Sequence, residues 1–161
     1  MRRLLFSLGI LLLFVTACAA QGRSIELVKF DIKASVNFPP TWVDIMMAET
    51  VDELTRTKKF TNVTLVPETN QASTSPDLRL TGSVKEFQPG SKSTRFWIGF
   101  GAGKAKIVAV VKIVEVSSGK GLLERDVDGS VIKGAWGPGD ASEATRGVAI
   151  EIAKRTKKLF P

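Results

Sequence analysis

Along most of the chain apolar residues either alternate with polar ones or recur every three to four positions, and these two periods divide it into strands and helices. The first stretch obeys neither period. From Leu4 to Val15 it is apolar apart from Ser7 and Gly9, and it follows Met1-Arg2-Arg3. Alternation begins at Ser24 and predicts a half-buried strand to Ala34, with Val28, Phe30 and Ile32 on one face and Lys29, Asp31 and Lys33 on the other. Pro39-Pro40 ends it. Thr41, three positions before Asp44, has capping-box-like spacing at the head of a helix predicted over 42–58, whose apolar stripe is Val43, Met46, Met47, Val51 and Leu54. Lys58-Lys59 would sit at its negative pole.

The β-branched run 62–66 predicts a short strand, the polar stretch 67–77 a loop, and the alternation over 78–87 a further strand with Leu78, Leu80 and Val84 inward. Over 104–116 both phases are apolar, Ile107, Ala109, Val111 and Ile113 against Val108, Val110, Val114 and Val116, which predicts a central strand covered on both sides. Ser117 to Lys120 reads as a hairpin turn and 122–133 as the returning strand, with Leu123, Val127 and Val131 inward. After Gly134 to Gly139, Asp140 and Glu143 repeat the capping spacing before a last helix with Ala141, Ala144, Val148 and Ile152 on its buried face. The order β-α-β-β-β-β-α predicts an α+β fold, a mixed, largely antiparallel sheet with two helices.

The opening segment has the parts of an export signal: a basic start, a short apolar run and a small-residue site at Thr16-Ala17-Cys18-Ala19-Ala20. It is shorter than the roughly 18 residues a spanning helix needs. Val15-Thr16-Ala17-Cys18 resembles a bacterial lipobox, in which the cysteine is diacylated and becomes the new N-terminus; Ala17-Cys18-Ala19 would also serve an ordinary Ala-x-Ala cleavage. Cys18 is the sole cysteine and has no disulfide partner, which favours lipidation. The expected organisation is a signal peptide over 1–17, a lipidated tether over 18–23 and a single α+β domain over 24–161. Ala19 stands where an aspartate would signal inner-membrane retention, so the expected location is the periplasmic face of the outer membrane.

Composition narrows the chemistry. Loss of Arg2 and Arg3 lowers the net charge of the whole chain, +7, to +5, too modest for a nucleic-acid binder. The chain has neither histidine nor tyrosine, so a Ser-His or Cys-His nucleophile is impossible and any metal site would have to be all-carboxylate. Asp126 with Asp128, and Asp52 with Glu53, read as solvated surface carboxylates rather than an acid/base pair. Gly99 to Lys104 fails as a phosphate loop: Ile98 stands where a P-loop needs glycine, Ala105 follows the lysine, and a strand comes next, where both phosphate motifs feed a helix. The expectation is a protein that is not an enzyme, with no cofactor, metal, nucleotide or nucleic acid.

Two surfaces stand out. Phe96, Trp97 and Phe100 crowd among glycines where strict alternation cannot bury them all, which marks them as a candidate contact surface; the alternative is a buried hairpin in which the glycines only permit a bend. Lys154, Arg155, Lys157 and Lys158 could meet an anionic surface, although a cationic last helical turn that complements the helix dipole is the simpler account. With Leu80-x-Gly82 on a strand, Arg95 before Gly99-Phe100-Gly101-Ala102-Gly103-Lys104-Ala105, the valine-rich strand after it, the Ser118-Gly119 turn and the final helix, the chain resembles the bacterial lipoproteins grouped as domain of unknown function 4410. Phe96-Trp97 is a bulkier flank than that family's usual one. The resemblance implies an envelope-associated domain with no assigned catalytic residue. Two roles follow as expectations: a structural or assembly lipoprotein that binds an envelope protein and is held at the membrane by its lipid, or a periplasmic carrier of a small ligand or lipid.

Overall fold

The structure is a computed structural model and describes residues 22–67, 75–89, 105–130 and 141–160. Strand β1 covers Arg23–Val28, β2 Asp31–Ile32, helix α1 Pro40–Arg56, β3 Phe60–Val66, β4 Leu78–Gln88, β5 Lys106–Glu115, β6 Gly121–Ser130 and helix α2 Ala141–Leu159. They form one six-stranded sheet in the order β3-β1-β4-β5-β6, with β2 also on β4. β1 runs parallel to both β3 and β4, β2 runs parallel to β4, and the two longest ladders, β4 with β5 and β5 with β6, are antiparallel. The α+β class with a mixed sheet and two helices is as the sequence predicts.

Both helices lie on one face of the sheet. Ile25 and Leu27 of β1, Leu78, Leu80 and Val84 of β4, Ile107, Ala109, Val111 and Ile113 of β5, and Val127 of β6 are buried beneath them. Val43, Met46, Met47 and Leu54 of α1 close this core, together with Ala144, Val148 and Ile152 of α2. Each fully buried branched side chain contributes about 1.5–3 kcal/mol relative to exposure, so the interior between sheet and helices is the main source of stability. No helix among the described residues is long and apolar enough to cross a membrane.

Close approach of α2 to the sheet depends on a glycine. A Cβ on Gly129 would lie 2.2 Å from the Ala144 carbonyl oxygen and 2.5 Å from the Val148 nitrogen, so helix backbone rests almost directly on strand backbone. Gly82, on the core face of β4, leaves room for the ring of Phe30, whose Cζ would be 2.7 Å from a Cβ there.

Four expectations need correction. First, the strand predicted over 24–34 is broken: β1 turns Ile25 and Leu27 inward, the chain leaves the ladder at Lys29, whose N–H bonds the Val66 carbonyl at 2.9 Å, and pairing resumes at Asp31. The predicted face of Val28, Phe30 and Ile32 is therefore not one continuous face, because a period counted through the break changes phase. Second, α1 has no capping box. Its N-cap is Pro39, without a side-chain cap bond, and Pro40 begins the helix, where the fixed φ and missing N–H of proline cost nothing. Third, α1 ends at Arg56, and Lys58 lies beyond it at φ 55°, in the left-handed region. Fourth, β5 is covered by helices on one side only. On its other face Val108 is buried, Val110 and Val114 are half-buried and Lys112 is exposed. The predicted cap at Asp140 and the inward Val131 lie outside the described residues.

Candidate functional site

The face of the sheet away from the helices combines the polar phase of β1, β4 and β6 with the valines of β5, and ion pairs are laid across it. Glu26 of β1 and Arg79 of β4 are register partners, and Arg79 Nε donates to Glu26 Oε1 at 2.8 Å. Glu26 is only 1% exposed, so the pair offsets the cost of a carboxylate removed from water. Further along the same face Lys112 lies 3.6 Å from Glu124, and Lys85 pairs with Asp126. Asp126 is thus engaged, Asp128 is exposed, and Glu53 of the other carboxylate pair meets Arg56 at 2.8 Å. Among the described residues no three histidine, cysteine or acidic side chains are placed to hold a metal ion.

An aromatic groove lies at the end of the sheet where α1 begins. Phe38, Trp42 and Phe87 meet edge to face, with ring centroids 5.0–5.9 Å apart. Each such contact adds about 0.5–1.5 kcal/mol beyond burial. Three local features place them. The 33–38 segment folds back through Val36 N–H to the Lys33 carbonyl, 2.8 Å, and presents Phe38. The Pro39-Pro40 start of α1 aims Trp42. A bulge between Val84 and Glu86 turns Glu86 outward beside Val108 and returns Phe87 to the helix side beside Ile107. The groove, about 650 Å³, is lined by Trp42 and Phe87 with Val36, Pro39, Lys85 and Pro89 among others, and Phe38 is buried behind them.

Between the helices, Thr145 of α2 hydrogen-bonds Glu49 of α1, and burial pushes the Glu49 carboxyl above its ordinary 4.5, against the lowering effects of that bond and of Arg146. At the other end of the sheet Asp77 accepts from the backbone N–H of Ser24 at 2.7 Å and from its hydroxyl at 2.8 Å, which holds its carboxyl below 3.8.

The sites expected from sequence are only partly in view. Cys18, Phe96, Trp97 and Phe100 lie outside the described residues, as does the glycine-rich segment. Of the basic cluster, Lys154 and Arg155 meet Glu151 at 3.4 and 2.8 Å, whereas Lys157 and Lys158 are exposed. The aromatic groove and the Glu26–Arg79 pair were not anticipated. Glu26 and Arg79 do occupy the polar phase of their strands, but pairing them requires the register of two strands separated in the chain by a helix and two further strands.

Solved structures place the architecture among bacterial proteins. The PelC dodecamer from Paraburkholderia phytofirmans matches with a TM-score of 0.59 at 14% identity, covering 83% of this chain and 87% of that one. Protein XCC0632 from Xanthomonas campestris matches with a TM-score of 0.52 at 12% identity, covering 83% of this chain and 81% of that one. Lipoprotein GNA1162 from Neisseria meningitidis has a TM-score of 0.46 at 13% identity, covering 67% of this chain and 82% of that one. For the first two, at such identities, the likeness is one of fold. A comparison with curated proteins finds no match. The family described as Domain of unknown function (DUF4410) matches residues 27–135, a span running from the inward face of β1 through the whole of β6, and the chain belongs to it.

Proposed function

We propose that the chain is a non-catalytic lipoprotein of the bacterial envelope, anchored through a lipid on Cys18 at the periplasmic face of the outer membrane, with a structural role in assembling protein partners there. The observation that carries the assembly role is the contrast between the two sheet edges. β6 presents Glu124, Arg125, Asp126 and Asp128, charges that discourage strand addition. β3 carries no charged residue from Phe60 to Val66, and on it Leu65 is 43% exposed. Ile45, equally exposed, belongs to the same corner, because Lys29 bonds Val66 through its N–H and pairs with Asp44 through its ammonium at 2.5 Å. An uncharged edge beside exposed aliphatic side chains suits addition of a partner strand. The dodecameric state of PelC supports an assembly reading of this fold.

Crosslinking in intact cells tests the role: Leu65→Lys, folded by circular dichroism, should lose the crosslinked species that the parent protein forms, and retention of them all would refute it. Anchoring is tested separately. Cys18→Ala should accumulate as precursor or appear in the soluble periplasm, and normal membrane fractionation of that variant would refute the anchor.

The aromatic groove favours a second reading, a carrier of a small apolar ligand. That reading requires saturable binding of an apolar fluorescent probe that Trp42→Ala abolishes, and absence of binding removes it.

A further inference from the structure

We propose that the end of the domain next to the anchor is a docking surface for anionic phospholipid headgroups, formed by Lys58, Lys59, Lys120, Lys157 and Lys158; this rests on the reading of Cys18 as the lipid-bearing residue. The topology gathers these side chains from three separate segments. β1, β3 and β4 run parallel and all start at one end of the sheet, β5 finishes and β6 begins there, and the contacts of Phe160 bring the end of α2 to the same place. Phe160 meets Phe60 edge to face at 5.9 Å and lies under the Arg23 guanidinium at 5.2 Å, while Arg23 reaches Glu115 at 3.5 Å. The starts of β1 and β3, the hairpin between β5 and β6 and the end of α2 are thereby locked together. Lys58 and Lys59 precede β3, Lys120 closes the hairpin, and Lys157 and Lys158 end α2.

Charge pairing separates these five from the other described lysines, with the exception of Lys33 at the far end of the sheet. Lys29, Lys85, Lys106, Lys112 and Lys154 each have a carboxylate partner. Among the described residues the five at this end have none, and Lys58, Lys120, Lys157 and Lys158 are exposed. Of the nearby carboxylates, Glu115 and Glu53 pair with Arg23 and Arg56, which leaves Asp77, bonded to the neutral Ser24, as one negative charge against five positive ones. The field of the five lysines is therefore not cancelled locally.

Covalent geometry holds this end close to the membrane. Gly22, whose carbonyl accepts from the Thr61 hydroxyl at 2.7 Å, belongs to the same end of the sheet. Four residues of even fully extended chain put residue 18 within about 14 Å of it. With screening over about 8 Å at physiological salt, lysines at this end, and not those at the far end, feel a negative surface, each worth about fivefold in partitioning. The strands then stand away from the bilayer. β4, Leu78–Gln88, at 3.3 Å per residue, carries the aromatic groove about 35 Å out, free to meet periplasmic partners.

The test uses the full chain as purified from bacterial membranes, with its intact mass reporting separately whether Cys18 is lipidated. The protein is mixed with vesicles of phosphatidylcholine, or of phosphatidylcholine with phosphatidylglycerol, and labelled with an amine-reactive reagent read by mass spectrometry. Labelling of the five lysines should fall about fivefold on the anionic vesicles relative to the neutral ones. Lys33, at the far end, should be unaffected, and high salt should abolish the difference. A combined Lys58→Glu, Lys59→Glu, Lys157→Glu and Lys158→Glu variant, folded by circular dichroism, should lose protection of Lys120. Equal labelling on both vesicle types, or protection of Lys120 that survives the charge reversal, overturns the docking surface. An unlipidated mass with protection intact supports the surface and refutes the anchor instead.

Discussion

Gly129→Ala places a single methyl group where two backbones touch. The new Cβ would be 2.2 Å from the Ala144 carbonyl oxygen, 2.5 Å from the Val148 nitrogen and 2.7 Å from Val148 Cγ2. Two of the three obstacles are helix backbone, so no rotamer change relieves the clash. Restoring ordinary contact requires α2 to rise from the sheet by about 1 Å. Over such a gap packed atoms forfeit a quarter to a half of their dispersion well. The loss falls on Ala144, Val148 and Ile152, all buried beneath α2. Overpacking commonly costs 1–3 kcal/mol and the contact here is unusually tight, so a loss of about 3 kcal/mol is expected, or roughly 10 °C in Tm. Gly121→Ala and Gly119→Ala serve as controls, because neither Cβ meets anything within 4 Å. The first should change stability by less than about 0.5 kcal/mol. The second should cost about 1 kcal/mol, because Gly119 sits at φ +67°. Urea unfolding followed by far-ultraviolet circular dichroism measures all three. A Gly129→Ala midpoint equal to that of Gly121→Ala would show that α2 does not rest on β6 as described.

Arg79→Met leaves Glu26 buried without its cation and should cost about 3 kcal/mol in urea unfolding, with much of that recovered by adding Glu26→Gln; a loss below about 1 kcal/mol would contradict burial of the pair. Burial raises the Glu49 pKa, so the folded state holds more protons than the unfolded state above pH 4.5, and this group's contribution falls as pH rises through that window. Glu49→Gln should therefore be at least as stable as the parent at pH 7, with the difference closing on acidification below pH 4.5. The Asp77 pKa is lowered by its bonds from Ser24, so its contribution is present above pH 3.8 and disappears as pH falls through the folded value. Asp77→Asn should be the less stable protein at neutral pH and match the parent in strong acid, and equal stability at both extremes would show that the Ser24 bonds carry no weight.

The helices and the deep strands were legible because a single period runs through each. Val43, Met46, Met47 and Leu54 in α1, and Ala144, Val148 and Ile152 in α2, are buried as their spacing predicts. Misreadings occurred where the chain changes phase inside an element. In the first strand the core face is Ile25 and Leu27, and Phe30 joins the core only because the ladder is interrupted between Val28 and Asp31. In β4 strict alternation from Leu78 would turn Glu86 inward; the bulge before it sends Glu86 out and brings Phe87 in. A glutamate falling in the apolar phase next to a phenylalanine was the available sign, since burying an unpaired carboxylate costs far more than inserting one residue into a strand.

The basic end was less legible for a different reason. In sequence, Lys58-Lys59 reads as a helix terminus, Lys120 as a turn residue and Lys157-Lys158 as another helix terminus, and each has a sufficient local account. Their convergence follows from strand direction. Had β1 and β3 been antiparallel, Lys58 and Lys59 would sit at the far end, beside Lys33 and the groove, and the end of β1 nearest residue 18 would lose two cations. Parallel pairing requires a crossover, and α1 supplies it, returning the chain from the end of β2 to the end where β1 began. The crossover that lets a helix cover the sheet thus also sets which charges stand at the start of β1. Patterns within an element report burial, whereas the charge of a molecular end depends on how elements are ordered, and that ordering is carried by pairings between residues far apart in the chain, such as Ile25 with Val63 and Leu78.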